Sequence, residues 1–152
     1  MKIPLSVRQR FGQLMPFAFI GLRSSKYRIR PMPIWVLVDT GSPWTAITPD
    51  DAMKLDIPTH ALKPDTTYPI ILFAGDKFRR LLLGDTSLNI RDETGKTVTF
   101  IPPPITVLSP TKKISPEEFR GIPSVLGDDF LTTEGLTLHF DPRNEEAFLF
   151  RP

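Results

Sequence analysis

The chain of 152 residues carries 19 basic and 17 acidic side chains, for a formal charge of +2, and it contains no cysteine. This balance provides no strong field for nucleic acid or an anionic membrane, and no stretch approaches the ~20 apolar residues of a membrane span. Without cysteine the chain lacks disulfides, thiol nucleophiles and thiolate metal ligands, which is compatible with a reducing compartment and leads us to expect a cytoplasmic protein.

The first part of the chain predicts a polar arm followed by a β-hairpin. The length suits one domain covering residues 1–152, and 17 prolines argue against a helical protein. Residues 1–13 are polar and form a candidate flexible N-terminal arm, whereas residues 14–22 and 27–38 are apolar and flank a polar tetrad, as in a hairpin. Residues 23–30 hold four basic side chains, so a nucleic-acid patch is the alternative to a solvated hairpin end. We favour the solvated end and expect no nucleic-acid partner.

Residues 34–44 read IWVLVDTGSPW and form the most informative stretch. The run is apolar at both odd and even positions, which predicts a strand buried on both faces. It delivers Asp39 at its end, and burying an ionised carboxylate costs several kcal/mol unless partners are supplied. Thr40, Gly41 and Ser42 follow directly, and their hydroxyls and backbone amides can donate to the carboxylate.

A short helix is predicted after this loop. Thr48 is a cap, Pro49 suits the first helical position, and Asp50 and Asp51 lie in the first turn, where they interact with the helix dipole. The helix should end near residue 55. His60 and His139 lie far apart without companion ligands, so we predict no metal site and no cofactor.

Residues 68–90 have the form of a hairpin with Gly75 and Asp76 at its tip. Residues 92–96 are the next turn, joining strands at 86–90 and 97–101, and prolines at 102–104 interrupt the sheet before residues 105–108 restart it. Residues 109–123 are polar and contain a capped helix start at Ser115 with a capping box completed by Glu118.

Residues 124–130 read SVLGDDF and lead into the last part of the chain. Asp128 and Asp129 follow Gly127 and fit a helix N-terminus better than a metal pair. Residues 141–144 are a turn composition between apolar runs at 136–140 and 147–150, which predicts a closing hairpin.

Two of these stretches resemble the signatures of aspartic peptidases. Residues 38–42, VDTGS, are similar to the active-site loop, and SVLGDDF is similar to the second signature, which packs beneath that loop. The hairpin between them lies where such enzymes carry the flap. Over residues 34–140 the chain therefore resembles the single-lobe, retropepsin-like branch. The resemblance implies an all-β fold, a closed β-barrel or sandwich with one or two short helices, and termini that can interleave between subunits.

The implied activity is hydrolysis of a polypeptide by Asp39 within the loop Thr40, Gly41 and Ser42. One carboxylate must take a proton from water while a second, protonated one donates to the carbonyl oxygen. The chain supplies one such aspartate, so we predict a homodimer in which the two Asp39 side chains meet at a two-fold axis. The residues expected to bind substrate are Ile70, Phe73, Ala74, Gly75, Asp76, Val125 and Leu126. The segment 109–123 either borders this cleft or is a surface insertion.

Two departures from the retroviral pattern carry predictions. Ser42 replaces Ala, and its hydroxyl can lower the pKa of the neighbouring carboxylate, so we predict an acid-shifted optimum. Pro43 and Asp128 occupy the positions of a structural Asp and Arg pair, so that ion pair is absent. The alternative function is a non-catalytic module that keeps the fold and binds a peptide or a partner protein without cutting it.

Overall fold

A computed structural model describes the backbone of residues 1–152 and the side chains of all of them except Pro116. The strands are β1 (Lys2–Pro4), β2 (Ser6–Arg10), β3 (Gln13–Ser24), β4 (Ile34–Val38), β5 (Ala46–Ile47), β6 (Lys63–Pro64), β7 (Ile70–Phe73), β8 (Asp76–Leu83), β9 (Thr86–Arg91), β10 (Thr97–Phe100), β11 (Ile105–Pro110), β12 (Ser124–Leu126), β13 (Thr137–Asp141) and β14 (Glu146–Phe150). The helices are α1 (Pro49–Lys54) and α2 (Asp128–Glu134), with 3₁₀ turns at Thr59–Ala61 and Pro116–Phe119. The prediction of a mainly β chain with one or two short helices is confirmed. Within the described residues, no helix has the length and apolar character needed to span a membrane.

The strands form two sheets. The smaller has the order β1-β14-β13, which confirms the closing hairpin; the larger has the order β10-β9-β3-β4-β12-β5-β11-β8-β6, with β2 added to β3 and β7 added to β8. Strand β12 lies between β4 and β5, parallel to the first and antiparallel to the second. The residues that connect β4 to β5 must therefore cross over the end of β12. Closure of the sheet into a barrel stays a prediction.

The faces of β4 differ in burial. Ile34, Val36 and Val38 are buried in the main core, whereas Trp35 and Leu37 are only half-buried. Because side chains alternate across a strand, the even-numbered face packs on the core and the odd-numbered face does not. The prediction of a strand buried on both faces is therefore right for one face only.

The N-terminal residues are more ordered than an arm. They form β1, which pairs with β14, and β2, which pairs with β3. Phe11 and Gly12 connect β2 to β3 with φ of 52° and 75°, the geometry of a two-residue hairpin turn. The polar strand β2 is half-buried at its start and exposed at its end, and the Arg8 guanidinium lies 3.7 Å from the Trp35 ring centroid. Residues 25–33 form a wide loop between β3 and β4 instead of a tight turn, since Pro31 and Pro33 lack amide donors.

The hairpin in the middle of the chain is shorter than predicted. Phe73 pairs with Asp76, so the turn is Ala74-Gly75, with φ of 49° and 83°, one residue earlier than the predicted tip. Strand β8 ends at Leu83, and β9 belongs to a different ladder with β3 and β10.

Of the two predicted helix caps, the one at Thr48 is present and the one at Ser115 is not. At α1, the Thr48 hydroxyl accepts the Asp51 amide at 3.3 Å, so this cap is confirmed. At residues 116–119 the expected helix is a 3₁₀ turn, and the Ser115 hydroxyl donates to the Glu117 side chain instead of accepting a backbone amide. The predicted capping box is therefore wrong.

Candidate active site

Asp39 follows the last residue of β4 and is fixed by its own loop. Its amide donates to the Leu126 carbonyl at 3.0 Å, and its Oδ1 accepts the Gly41 amide at 2.9 Å. The Asp39 carbonyl accepts the Ser42 amide at 3.1 Å, which closes a tight turn. Asp39 is half-buried, while Thr40 and Gly41 are exposed. The carboxylate is thus oriented by the chain and still lies at its surface.

The hydroxyls expected to hold the carboxylate point elsewhere. The Ser42 hydroxyl donates to the Trp44 carbonyl at 2.8 Å, and the Thr40 side chain is exposed. Of the expected donors, the Gly41 amide is the one that reaches Asp39. The acid-shifted optimum predicted from Ser42 therefore has no hydrogen bond to support it in this conformation.

Gly127 brings the second signature directly beneath the loop. A Cβ at this position would clash with the Trp44 carbonyl oxygen. It would lie 2.5 Å from the Trp44 carbonyl carbon and 2.8 Å from the Ser42 carbonyl oxygen. The Gly127 amide donates to Thr45 Oγ1 at 3.1 Å, and the Asp128 amide donates to the Ser42 carbonyl at 2.8 Å. Glycine is required here because the two backbones touch where the loop crosses the end of β12.

Asp129 is an anchor for the loop that the sequence did not reveal. Its Oδ1 accepts the Thr45 amide at 2.8 Å, the Thr45 hydroxyl at 2.9 Å and the Phe130 amide at 2.8 Å. Asp128 is exposed and accepts only the Thr132 hydroxyl with its side chain, at 3.3 Å. The two acids start α2, as predicted, but their carboxylates have separate partners. Asp129 thus fastens the loop at Thr45 to the start of α2.

Arg80 holds the outer side of the same loop. Its guanidinium carbon lies 4.2 Å from the Trp44 ring centroid, its Nη1 lies 2.8 Å from Asp65 Oδ2, and its Nε donates to Thr106 Oγ1 at 2.9 Å. The hydrogen bond from the Tyr68 amide is the largest cause that lowers the pKa of Asp65, and the charge of Arg80 is the next lowering cause. Arg80 is buried although its strand position reads as an ordinary surface charge, so no sequence signal identified it.

An apolar cluster covers the face of β4 that leads to Asp39. Leu37 precedes Asp39 by two residues, so both lie on the odd-numbered side of the strand. Val125 pairs with Leu37 on one side and with Ala46 on the other. We call the group the cleft cluster; its buried members are Ala46, Phe78, Leu108, Phe119 and Val125, and its half-buried members are Leu37, Ile71, Phe73, Ile114 and Ile122.

The residues expected to bind substrate lie in different parts of the structure. Val125 and Phe73 belong to the cleft cluster. Leu126 is fully buried in the main core, and its contribution to the site is the carbonyl that accepts the Asp39 amide. Ile70 is 49% exposed and lies on the opposite face of β7 from Phe73. Strand alternation would have selected Ile71 in its place, because Ile71 shares a face with Phe73.

The tip residues of the hairpin, Ala74, Gly75 and Asp76, are exposed and lie beyond the cleft cluster. The positive φ values of Ala74 and Gly75 belong to the turn itself. Gly75 and Asp76 line a cavity that they share with Phe119, and their contact with a substrate stays a prediction.

The comparisons with known proteins bear on the fold. No family model and no curated protein matches this chain. Among solved structures, it is similar to a retropepsin-like aspartic protease from Rickettsia conorii, with 23% identity, a TM-score of 0.54, and coverage of 98% of this chain and 89% of that one. It is also similar to EIAV protease complexed with the inhibitor HBY-793, with 19% identity, a TM-score of 0.47, and coverage of 88% and 100%. The first match and the interlocked loops at Asp39 and Gly127 show that the chain has the retropepsin-like fold.

Proposed function

We propose that the protein is an aspartic endopeptidase whose catalytic pair consists of two Asp39 carboxylates, one from each of two copies of the chain. The observation that carries the proposal is the placement of Asp39. Its carboxylate is oriented by the Gly41 amide, while the loop tip beside it stays exposed. Among the described residues, no lysine or arginine forms an ion pair with Asp39. A carboxylate that is held in place without being neutralised is available for proton transfer.

The reaction requires two such groups. One carboxylate takes a proton as water attacks the carbonyl carbon, and the other, protonated, gives its proton to the carbonyl oxygen. The carboxylate that took the proton from water then gives it to the amide nitrogen, and the C–N bond breaks. The other carboxylate takes back a proton from a hydroxyl of the intermediate, so a carboxylic acid and an amine leave and the pair again holds one proton. Two carboxylates about 3 Å apart cannot both be ionised, so the pair holds one proton and supplies base and acid together. A two-fold axis through the exposed tip of the loop would supply the second Asp39.

The proposed substrate is an extended polypeptide with apolar side chains near the bond that is cut. An extended peptide adds strand-like hydrogen bonds and directs alternate side chains into pockets. The cleft cluster supplies an apolar surface on the Asp39 side of β4, and the hairpin β7 to β8 extends from it with Ile71 and Phe73 facing inward. This hairpin is the proposed flap.

The first test compares wild type with Asp39→Asn on a mixed peptide pool between pH 3 and pH 8. Losing a catalytic carboxylate should lower kcat/KM by about 10³-fold or more. Asp56→Asn is the matched control, because Asp56 is exposed with φ of 55°, a conformation that asparagine also adopts readily. Equal cleavage by wild type and Asp39→Asn would remove Asp39 from the mechanism.

A mixing experiment tests the origin of the second carboxylate. When equal amounts of wild type and Asp39→Asn exchange subunits freely, about half of the wild-type chains enter mixed dimers with a single Asp39. Activity at constant wild-type concentration should fall to about half, and excess Asp39→Asn should lower it further. Sedimentation run alongside verifies the dimer. Activity that is indifferent to the added variant would refute a pair shared between subunits.

A further inference from the structure

The connection from β11 to β12, residues 111–123, turns inward onto the cleft cluster. Phe119 is 4% exposed, and its ring centroid lies 5.3 Å from that of Phe78 on the hairpin. Ile114 and Ile122 pack at the edge of the same cluster. A segment with a polar composition thus places an aromatic ring in the apolar cluster that also contains Leu37, two residues before Asp39.

Few polar contacts hold this segment against the rest of the chain. Among the described residues, its backbone hydrogen bonds are local, such as those from Arg120 to Glu117 at 3.1 Å and from Ile122 to Phe119 at 3.1 Å. One side-chain contact reaches the hairpin, from the Thr111 hydroxyl to the Lys77 carbonyl at 3.4 Å. A segment attached through apolar side chains, without ladder hydrogen bonds, opens at lower cost than the strands that flank it.

Open space lies beside Phe119. A cavity of about 350 Å³ separates the hairpin tip, at Gly75 to Lys77, from the segment, and Ile114 and Phe119 line its inner side. The Phe119 ring therefore borders open space on the side of the hairpin tip.

We propose that Phe119 is a displaceable plug in the apolar subsite next to Asp39, so that it determines which side chains a substrate can place there. A small side chain binds alongside the ring. A bulky apolar side chain must take the place of the ring, and the burial of Phe119 is lost as that of the substrate is gained. This inference rests on the proposed function in taking an extended peptide as the ligand.

The experiment uses peptide pools that are random except for one central position, fixed as Ala or as Phe. In wild type, displacing Phe119 offsets much of the gain from binding a bulky residue. In Phe119→Ala, the preference for the Phe pool over the Ala pool should rise by about 10-fold or more, the effect of burying one aromatic side chain. Phe119→Leu should fall between them. If the ratio is unchanged in a Phe119 variant that keeps its near-UV circular dichroism, the plug does not exist.

The matched control is Phe100→Ala, which truncates a buried phenylalanine that packs on Phe130 in the main core. Its preference for the Phe pool over the Ala pool should equal that of wild type. A rise comparable to that in Phe119→Ala would mean that general loosening of the core causes the effect. The pools are also tested for binding in an Asp39→Asn background, where nothing is cut. A change in the binding preference without any Asp39-dependent cleavage would keep the plug and reject the peptidase.

Hydrogen exchange gives a readout that does not require a Phe119 variant. Saturation of Asp39→Asn with the Phe pool should accelerate exchange of the Arg120 and Ile122 amides, because their hydrogen bonds lie within the displaced segment. If the segment were instead a fixed wall of the subsite, its amides should exchange more slowly when peptide binds. Unchanged or slower exchange at these amides would overturn the proposal.

Discussion

Replacing Gly127 by alanine tests whether the contact between the two signatures organises the site. The added Cβ would lie 2.5 Å from the Trp44 carbonyl carbon and 2.8 Å from the Ser42 oxygen, both backbone atoms that cannot rotate away. The loop or the end of β12 must shift. Inserting a group into a filled site costs about 1–3 kcal/mol. The Gly127 and Asp128 amides donate to this loop, and losing both bonds, at about 0.5–1.5 kcal/mol each, brings the total to about 2–6 kcal/mol.

Urea unfolding followed by tryptophan fluorescence measures this loss. Gly84→Ala is the matched control, since a Cβ at Gly84 meets nothing within 4 Å, and its stability should stay within about 0.5 kcal/mol of wild type. In the fraction that remains folded, a loop displaced by about 1 Å should lower kcat/KM of the proposed cleavage by about 10²-fold. If Gly127→Ala were as stable and as active as Gly84→Ala, the close approach would not position Asp39.

Three further predictions concern acidic side chains near the site. Asp129→Ala should lower the free energy of unfolding by about 2–4 kcal/mol, because the Thr45 amide and hydroxyl lose their acceptor; Asp129→Asn should lose less in the same urea titration, since its amide oxygen still accepts. Burial raises the pKa of Asp51 above 3.8 despite the Ser124 hydrogen bond. The folded protein therefore holds this proton more tightly than the unfolded chain does, and the stability gained from the protonated form is lost as the pH rises. Asp51→Asn should have a higher Tm than wild type at pH 7 and lose this advantage near pH 4. The pKa of Asp65 is lowered, so the stability that its charged form contributes is present above the ordinary value of 3.8 and is lost as the pH falls from there to the lower pKa of the folded protein. Asp65→Asn should flatten the dependence of Tm on pH between pH 2 and pH 5.

The features formed by residues close together in the sequence were predictable. Asp39, its glycine turn and the cap at Thr48 involve residues within three positions of each other, so their chemistry is visible in the sequence. Ile70 lies on the opposite face of β7 from Phe73, whereas Ile71 shares the face of Phe73, as strand alternation would have indicated; substrate contact by Ile70 stays a prediction.

The contacts that were missed join distant parts of the chain. Thr45 and Asp129 are 84 residues apart, and Arg80 and Thr106 are 26 apart. Neither pair has a local pattern, because the partners meet only after β12 has entered between β4 and β5 and β8 has paired with β11. Phe119 was hidden for the same reason, since a polar segment gives no indication of where its one aromatic ring packs. The proposed reactive residue, Asp39, is therefore visible in a single sequence, whereas the residues that hold its loop are not.

The absent ion pair has different consequences for the loop and for the proposed dimer. Pro43 and Asp128 cannot form it, yet the loop is fixed from below by Asp129 and from the side by Arg80. In the proposed dimer, a tip fixed in this way would lose little conformational freedom when a second chain binds. The loop is thus held around Asp39 without the ion pair, and in the proposed dimer other surfaces of the chain would have to supply the affinity.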